Sequence, residues 1–211
     1  MPVLVYMLDL IYVPGGKPET RVPVANKLAS RNPHANILLT GASPGLRSFE
    51  ITDARKAYTW LSSKVHDTPE KIIQIDEGVD AYSNVVFASE VIENMLLENK
   101  GKFSIGVAVD SFYQKRLFKQ FDKVFGKQRL NDLEIVPVIT NYKANKADIL
   151  LETLLDNTFE REYARWMPRP KINKSKSHKE ALFNNHIGYR EDKTAHSLYD
   201  LILTYDMYLN K

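Results

Sequence analysis

Cysteine is absent from the 211-residue chain. That excludes a disulfide framework, a thiol nucleophile and any zinc site that needs sulfur ligands. An apolar run of membrane-spanning length is also missing at the start. Met-Pro-Val-Leu-Val-Tyr-Met-Leu has no basic segment before it and is broken by Asp9. No membrane insertion is expected, and with no signal peptide legible the expected location is cytoplasmic. A large excess of one charge is lacking too, since 29 Lys and Arg against 26 Asp and Glu leave a net +3. Binding to a phosphate backbone needs a concentrated basic face. The basic stretch from Arg165 to Lys179 has little aromatic interleaving and reads as a solvated connection rather than a nucleic-acid surface.

Several reaction signatures are missing as well. The chain contains no Gly-x-x-x-x-Gly-Lys-Ser/Thr loop, and its first glycine turn is not Gly-x-Gly-x-x-Gly. The five histidines, at 34, 66, 178, 186 and 196, show no metal-binding spacing. Gly41-Ala-Ser43-Pro-Gly45 has the spacing of a nucleophile elbow. Pro44 fits such a turn poorly, however, and the following helix starts several residues later. His186 and His196 lie beyond the recognisable strand–helix units, so a serine triad is a minor reading.

What is present is an alternation of short apolar runs and amphipathic segments. Strands are expected over Leu4–Val13, Ala35–Thr40, Lys71–Ile75, Phe103–Val109 and Leu133–Ile139. Helices are expected over Val22–Ser30, Ile51–Ser62, Ala81–Leu97 and Tyr113–Phe125. Asn32-Pro33 should stop the first helix, and Pro137 marks the last strand as an edge or a strand end. This pattern predicts an α/β fold: a three-layer, Rossmann-like parallel sheet with helices on both faces and right-handed crossovers. The core should span residues 1–145. Residues 146–211 should form a helical C-terminal extension packed on it, with helices over Lys146–Leu155, Phe159–Trp166 and Ser197–Leu209. That extension is a candidate cap or homo-oligomer interface.

Parallel strands deliver their C-terminal ends to one rim, where glycines admit a ligand and helix N-termini attract anions. The candidates there are Gly15 and Gly16, then Thr40, Gly41 and Ser43, then Asn84, and finally Tyr113 and Arg116. Arg21, near the start of the first helix, has the planar fork suited to a carboxylate or phosphate. Asp53 and Asp110 are the candidate catalytic groups, as base or as holders of a divalent cation. Asp9, Asp76 and Glu77 are further loop carboxylates that could join a hard-cation site.

At these residues the chain resembles the domain-of-unknown-function family typified by the bacterial proteins YdcF and SanA. Asp9-Leu-Ile-Tyr-Val-Pro-Gly15-Gly16 with Arg21 and Ala25 matches that family's first strand, glycine turn and helix start. Thr40-Gly41 matches its second strand end, and Thr52-Asp53-Ala54 stands in for its Ser-Glu-Ala. Asn84 is kept, but Ala81 and Ser83 replace the Thr and Glu of the third motif. The fourth reads Asp110-Ser111-Phe112-Tyr113-Gln114-Lys115-Arg116, with the Arg kept and the His replaced by Tyr113. The resemblance runs from about Asp9 to Val138. It implies a crevice across the strand ends and nucleotide-like ligands such as S-adenosylmethionine, with altered chemistry where Glu and His are lost.

Two functions follow as expectations. One is a small-molecule enzyme acting on, or transferring a group of, a phosphate-bearing, nucleotide-like substrate, with Arg21 and Arg116 clamping the anion. The other is a non-catalytic binder of a nucleotide or small anion.

Overall fold

The alternation of apolar runs and amphipathic segments folds into one parallel sheet between two helical layers. The computed structural model describes residues 7–41, 53–62, 71–78, 81–99, 101–150, 152–154, 179–181 and 184. Strand β1 (Leu10–Val13) leads to helix α1 (Pro18–Arg31), then β2 (Asn36–Thr40), α2 (Asp53–Ser62) and β3 (Ile72–Ile75). Helix α3 (Ala81–Glu98), β4 (Phe103–Val109), α4 (Ser111–Leu130) and β5 (Leu133–Ile139) follow. Among the described residues the sheet has the order β3-β2-β1-β4-β5 with every pair parallel. The α/β, Rossmann-like three-layer class expected from the alternation is what the chain adopts.

Side-chain alternation along the strands builds two cores. Leu10 and Tyr12 of β1, Leu38 of β2, and Ile105, Val107 and Val109 of β4 pack under α3 and α4. Ile11 and Val13, Ile37 and Leu39, and Ala108 pack under α1 and α2. Each Leu, Ile or Val buried this way contributes on the order of 1.5–3 kcal/mol. A one-residue slip of β1 would exchange its two apolar sets between the layers, so register is held by both cores together.

Several boundaries differ by a residue or two from the sequence expectation, and three differ by more. Helix α1 starts at Pro18, because proline suits the first helical position, where its missing N–H costs nothing, and Glu19 favours the first turn. It ends as expected at Asn32, whose side chain donates to the Leu28 carbonyl at 3.0 Å and accepts from the Leu8 amide at 2.9 Å. Strand β1 begins only at Leu10, and the expected residues 4–6 lie outside the described residues. Helix α4 is interrupted at Gly126, whose φ of 70° breaks the helical path just after the expected end at Phe125. Pro137 sits in β5, which is an edge strand, where a missing donor is tolerated. Of the C-terminal extension, residues 146–150 and 152–154 are helical. Its expected helices over Phe159–Trp166 and Ser197–Leu209 lie outside the described residues.

Candidate functional site

The strand order reverses between β1 and β4, since the chain proceeds from β1 outward to β3 and then returns to β4 on the other side. Such a switch point opens a crevice beyond the strand ends, because the loops on either side diverge. Residues 14–17 leave β1 here, and Asp110 leaves β4.

On the β2–β3 side of that point, glycines bring three turns into contact. A Cβ on Gly15 would lie 2.7 Å from the Gly41 Cα and 3.1 Å from the Thr40 carbonyl oxygen, so only glycine permits this approach. Between the turns sits Asn84, in the first turns of α3 and 4% exposed. Its Nδ2 lies 3.0 Å from the Cβ position of Gly15, and its Oδ1 packs on the backbone of Gly78. That Oδ1 is buried and accepts no hydrogen bond. Leaving a buried acceptor unpaired costs about 1–3 kcal/mol, an expense that folded proteins usually avoid. Thr40 is also buried, and its Oγ1 lies 3.1 Å from the Tyr12 hydroxyl. Burial pushes the Tyr12 phenol well above its ordinary value, so this group stays neutral.

At the switch point itself, Arg21 and Asp110 bind each other. Both are buried, and Nε and Nη2 of Arg21 donate to Asp110 Oδ2 at 3.0 and 2.8 Å. Nη1 of Arg21 donates to the carbonyls of Pro14, at 2.9 Å, and Gly15. The guanidinium thus grips the glycine turn from below, and Gly16, with a φ of 115°, lets the chain wrap around it. Asp110 Oδ1 accepts from the Thr20 hydroxyl at 3.0 Å and the Thr140 hydroxyl at 2.5 Å. All these bonds spend the arginine fork and the carboxylate on internal partners. Arg21 and Asp110 therefore act as a neutral brace joining β1, α1, β4 and the end of β5.

The remaining rim cations meet carboxylates of the C-terminal segment. Lys17 Nζ donates to Asp148 Oδ1 at 2.8 Å and to the Tyr142 hydroxyl at 2.5 Å, and lies 4.0 Å from the Tyr142 ring centroid. Tyr142 in turn donates to Asp148 Oδ2 at 2.6 Å. Burial opposes the charge of Lys17, but its bonds to Asp148 and Tyr142 outweigh that and raise its pKa. Burial likewise acts to raise Asp148, and the bonds from Lys17, Tyr142 and the Asn145 amide overcome it and hold the carboxyl below the ordinary range. The bond to Asp148 pushes the Tyr142 phenol up. Arg116 grips Glu152 with both arms of its fork, at 2.5 and 2.8 Å. The buried Tyr113 ring meets two guanidiniums, with Arg21 and Arg116 each 4.9 Å from its centroid.

Gly15, Thr40, Gly41 and Asn84 gather on one side of the switch point, and Gly16, Arg21, Asp110, Tyr113 and Arg116 on the other. Asp53 opens α2, near enough for the Ala54 amide to donate to the Gly41 carbonyl at 3.2 Å. The side chain of Asp53, and all of Ser43, lie outside the described residues. Asp9 precedes β1 and so belongs to the opposite edge of the sheet, where it accepts from the Ser104 amide at 2.7 Å. Among the described residues no three His, Asp or Glu side chains gather as ligands for a metal ion. Among the described residues, too, no helix is long and apolar enough to cross a membrane.

Lys17, Thr20, Thr140, Tyr142, Asp148 and Glu152 were not legible as rim residues. One signal was available for part of this set. Asn145-x-x-Asp148 has capping-box spacing, and the two residues exchange side-chain-to-amide bonds at 2.8 and 2.9 Å at the helix start. No protein-family model matches the chain, and no curated protein matches it.

Proposed function

We propose that the protein binds a phosphate-bearing, nucleotide-like small molecule at the C-terminal rim of the sheet, in the crevice between the turns after β1, β2 and β3. The observation that carries this reading is Asn84, a buried amide with an unpaired carbonyl oxygen wedged among the Gly15, Gly41 and Gly78 turns. A hydroxyl or amino group of the ligand supplies the missing donor. The phosphate meets the start of α1 at the Glu19 amide, since Pro18 has no N–H and the Thr20 and Arg21 amides already donate to the Lys17 carbonyl. The resemblance to the YdcF-like family supports the same reading through Gly15, Gly16, Arg21, Asn84 and Arg116. Arg21 and Asp110 enter as positioning residues of the first turn.

Calorimetric titration of the full chain with ADP tests the binding reading. Wild type is expected to bind, and Asn84→Ala to bind about fivefold more weakly, the equivalent of one lost hydrogen bond. The melting temperature of Asn84→Ala is expected to be little changed, because the oxygen removed had no partner. No heat with ADP, or equal affinities, would overturn it.

A further inference from the structure

Every rim cation described above is closed by a carboxylate: Arg21 by Asp110, Lys17 by Asp148 and Arg116 by Glu152. The three pairs are not alike. Arg21 and Asp110 are both buried at the root of the crevice, and their partners come from the sheet domain itself. Lys17 and Arg116 retain some exposure, with side chains 27% and 12% exposed, and both are met by the C-terminal segment. Asp148 and Glu152 stand four residues apart among the helical residues 146–150 and 152–154, which is about one turn or ~6 Å along the axis. They therefore share a face, and that face delivers two negative groups to the two sides of the switch point. Lys17 follows the glycine turn of β1, and Arg116 lies one turn into α4.

We propose that this acidic helical face is a built-in competitor for the anionic ligand: a strap whose Asp148 and Glu152 carboxylates occupy Lys17 and Arg116 until phosphate groups displace them. The inference rests on the binding reading above, and supplies the phosphate partners that the closed brace of Arg21 does not. Attachment of the strap is local. Among the described residues it includes the two ion pairs, the Tyr142 hydroxyl, the Lys17 ammonium 4.0 Å from the Tyr142 ring centroid and a tilted contact between the rings of Phe112 and Tyr142 at 6.0 Å. The outer side of the same segment, at Ile149, Leu150 and Leu154, is about half exposed. Withdrawal of Asp148 and Glu152 leaves both cores intact, since neither core includes a described residue of the strap. A ligand shifts such an equilibrium only by what it gains in the open form, here two charge-assisted contacts.

The test uses the full chain, with ADP and inorganic pyrophosphate as probes. The conservative pair Asp148→Asn and Glu152→Gln removes the competing charges and keeps the shape. Calorimetry is expected to show the double variant binding ADP and pyrophosphate about tenfold more tightly than wild type, with each single variant between. Amide hydrogen exchange on wild type is independent of any variant's folding. Residues 142–154 are expected to exchange faster when the protein is saturated with ADP. Unchanged or weaker affinity in the double variant, or slower exchange of residues 142–154 with ADP bound, would overturn the strap and leave the binding site standing. Absence of binding by wild type and variants alike would overturn both.

Discussion

Arg21 is 3% exposed and faces a carboxylate that is fully buried. Two such charges survive away from water only because each satisfies the other and the surplus valences go to the Pro14 and Gly15 carbonyls and to the hydroxyls of Thr20 and Thr140. Removing one member strands the other. Arg21→Met is expected to destabilise the protein by about 3–5 kcal/mol, and Asp110→Asn by a comparable amount. The double variant should lose less than the two separate losses added together, by about 1–3 kcal/mol. A double-mutant cycle in urea measures this. Additive losses would show that the pair is not a coupled unit.

At the scale of elements, the contact between the segment 142–154 and the first glycine turn carries a pH signature. Asp148 has a lowered pKa, so its contribution is present above the ordinary value of 3.8 and is lost as the pH falls through the lower, folded value. Lys17 has a raised pKa, so its contribution is present below 10.5 and is lost as the pH rises through the higher, folded value. Between those limits the contact is at full strength. The stability difference between wild type and Asp148→Asn, followed by thermal melting, should be constant from about pH 5 to 9 and should close in acid. A difference that persists unchanged at pH 2 would mean that Asp148 acts through helix capping alone.

For the molecule as a whole, strand order decides which parts are most secure. Strands β1 and β4 have neighbours on both sides, whereas β3 and β5 are edges. Both faces of β1 are covered, and Leu10, Ile11 and Tyr12 are fully buried. The amides of Ile11, Tyr12 and Val107 are therefore expected to exchange only through global unfolding, with a strong denaturant dependence. Those of β3 and β5 should exchange by local opening with little dependence. Native-state hydrogen exchange distinguishes the two, and equal slopes would argue that the sheet opens as a single unit. The turns at the switch point leave the inner strands β1 and β4, whereas the turn after β3 leaves an edge, so the rim loops can move at the switch point without loosening the platform beneath them.

Local pattern was enough for the platform. The apolar runs at Ile37–Leu39 and Ile105–Val109, the helical spacing of Val85, Ala88 and Ile92, and the Asn32-Pro33 stop identify strands, helices and their alternation. Alternation in turn implies a parallel sheet, because successive strands can run in the same direction only through a crossover, which each intervening helix supplies. The rim position of Gly15, Gly41 and Asn84 followed from the same reasoning. Who pairs with whom at that rim did not. Arg21 meets Asp110 across 89 residues, Lys17 meets Asp148 across 131, and Arg116 meets Glu152 across 36. Such partners leave no periodic trace, since a charge in sequence reads the same whether it faces water, a ligand or another residue. Only the tertiary structure decided that the first glycine turn is braced internally by Arg21 and that the cations on either side of the crevice are held by one acidic helical face.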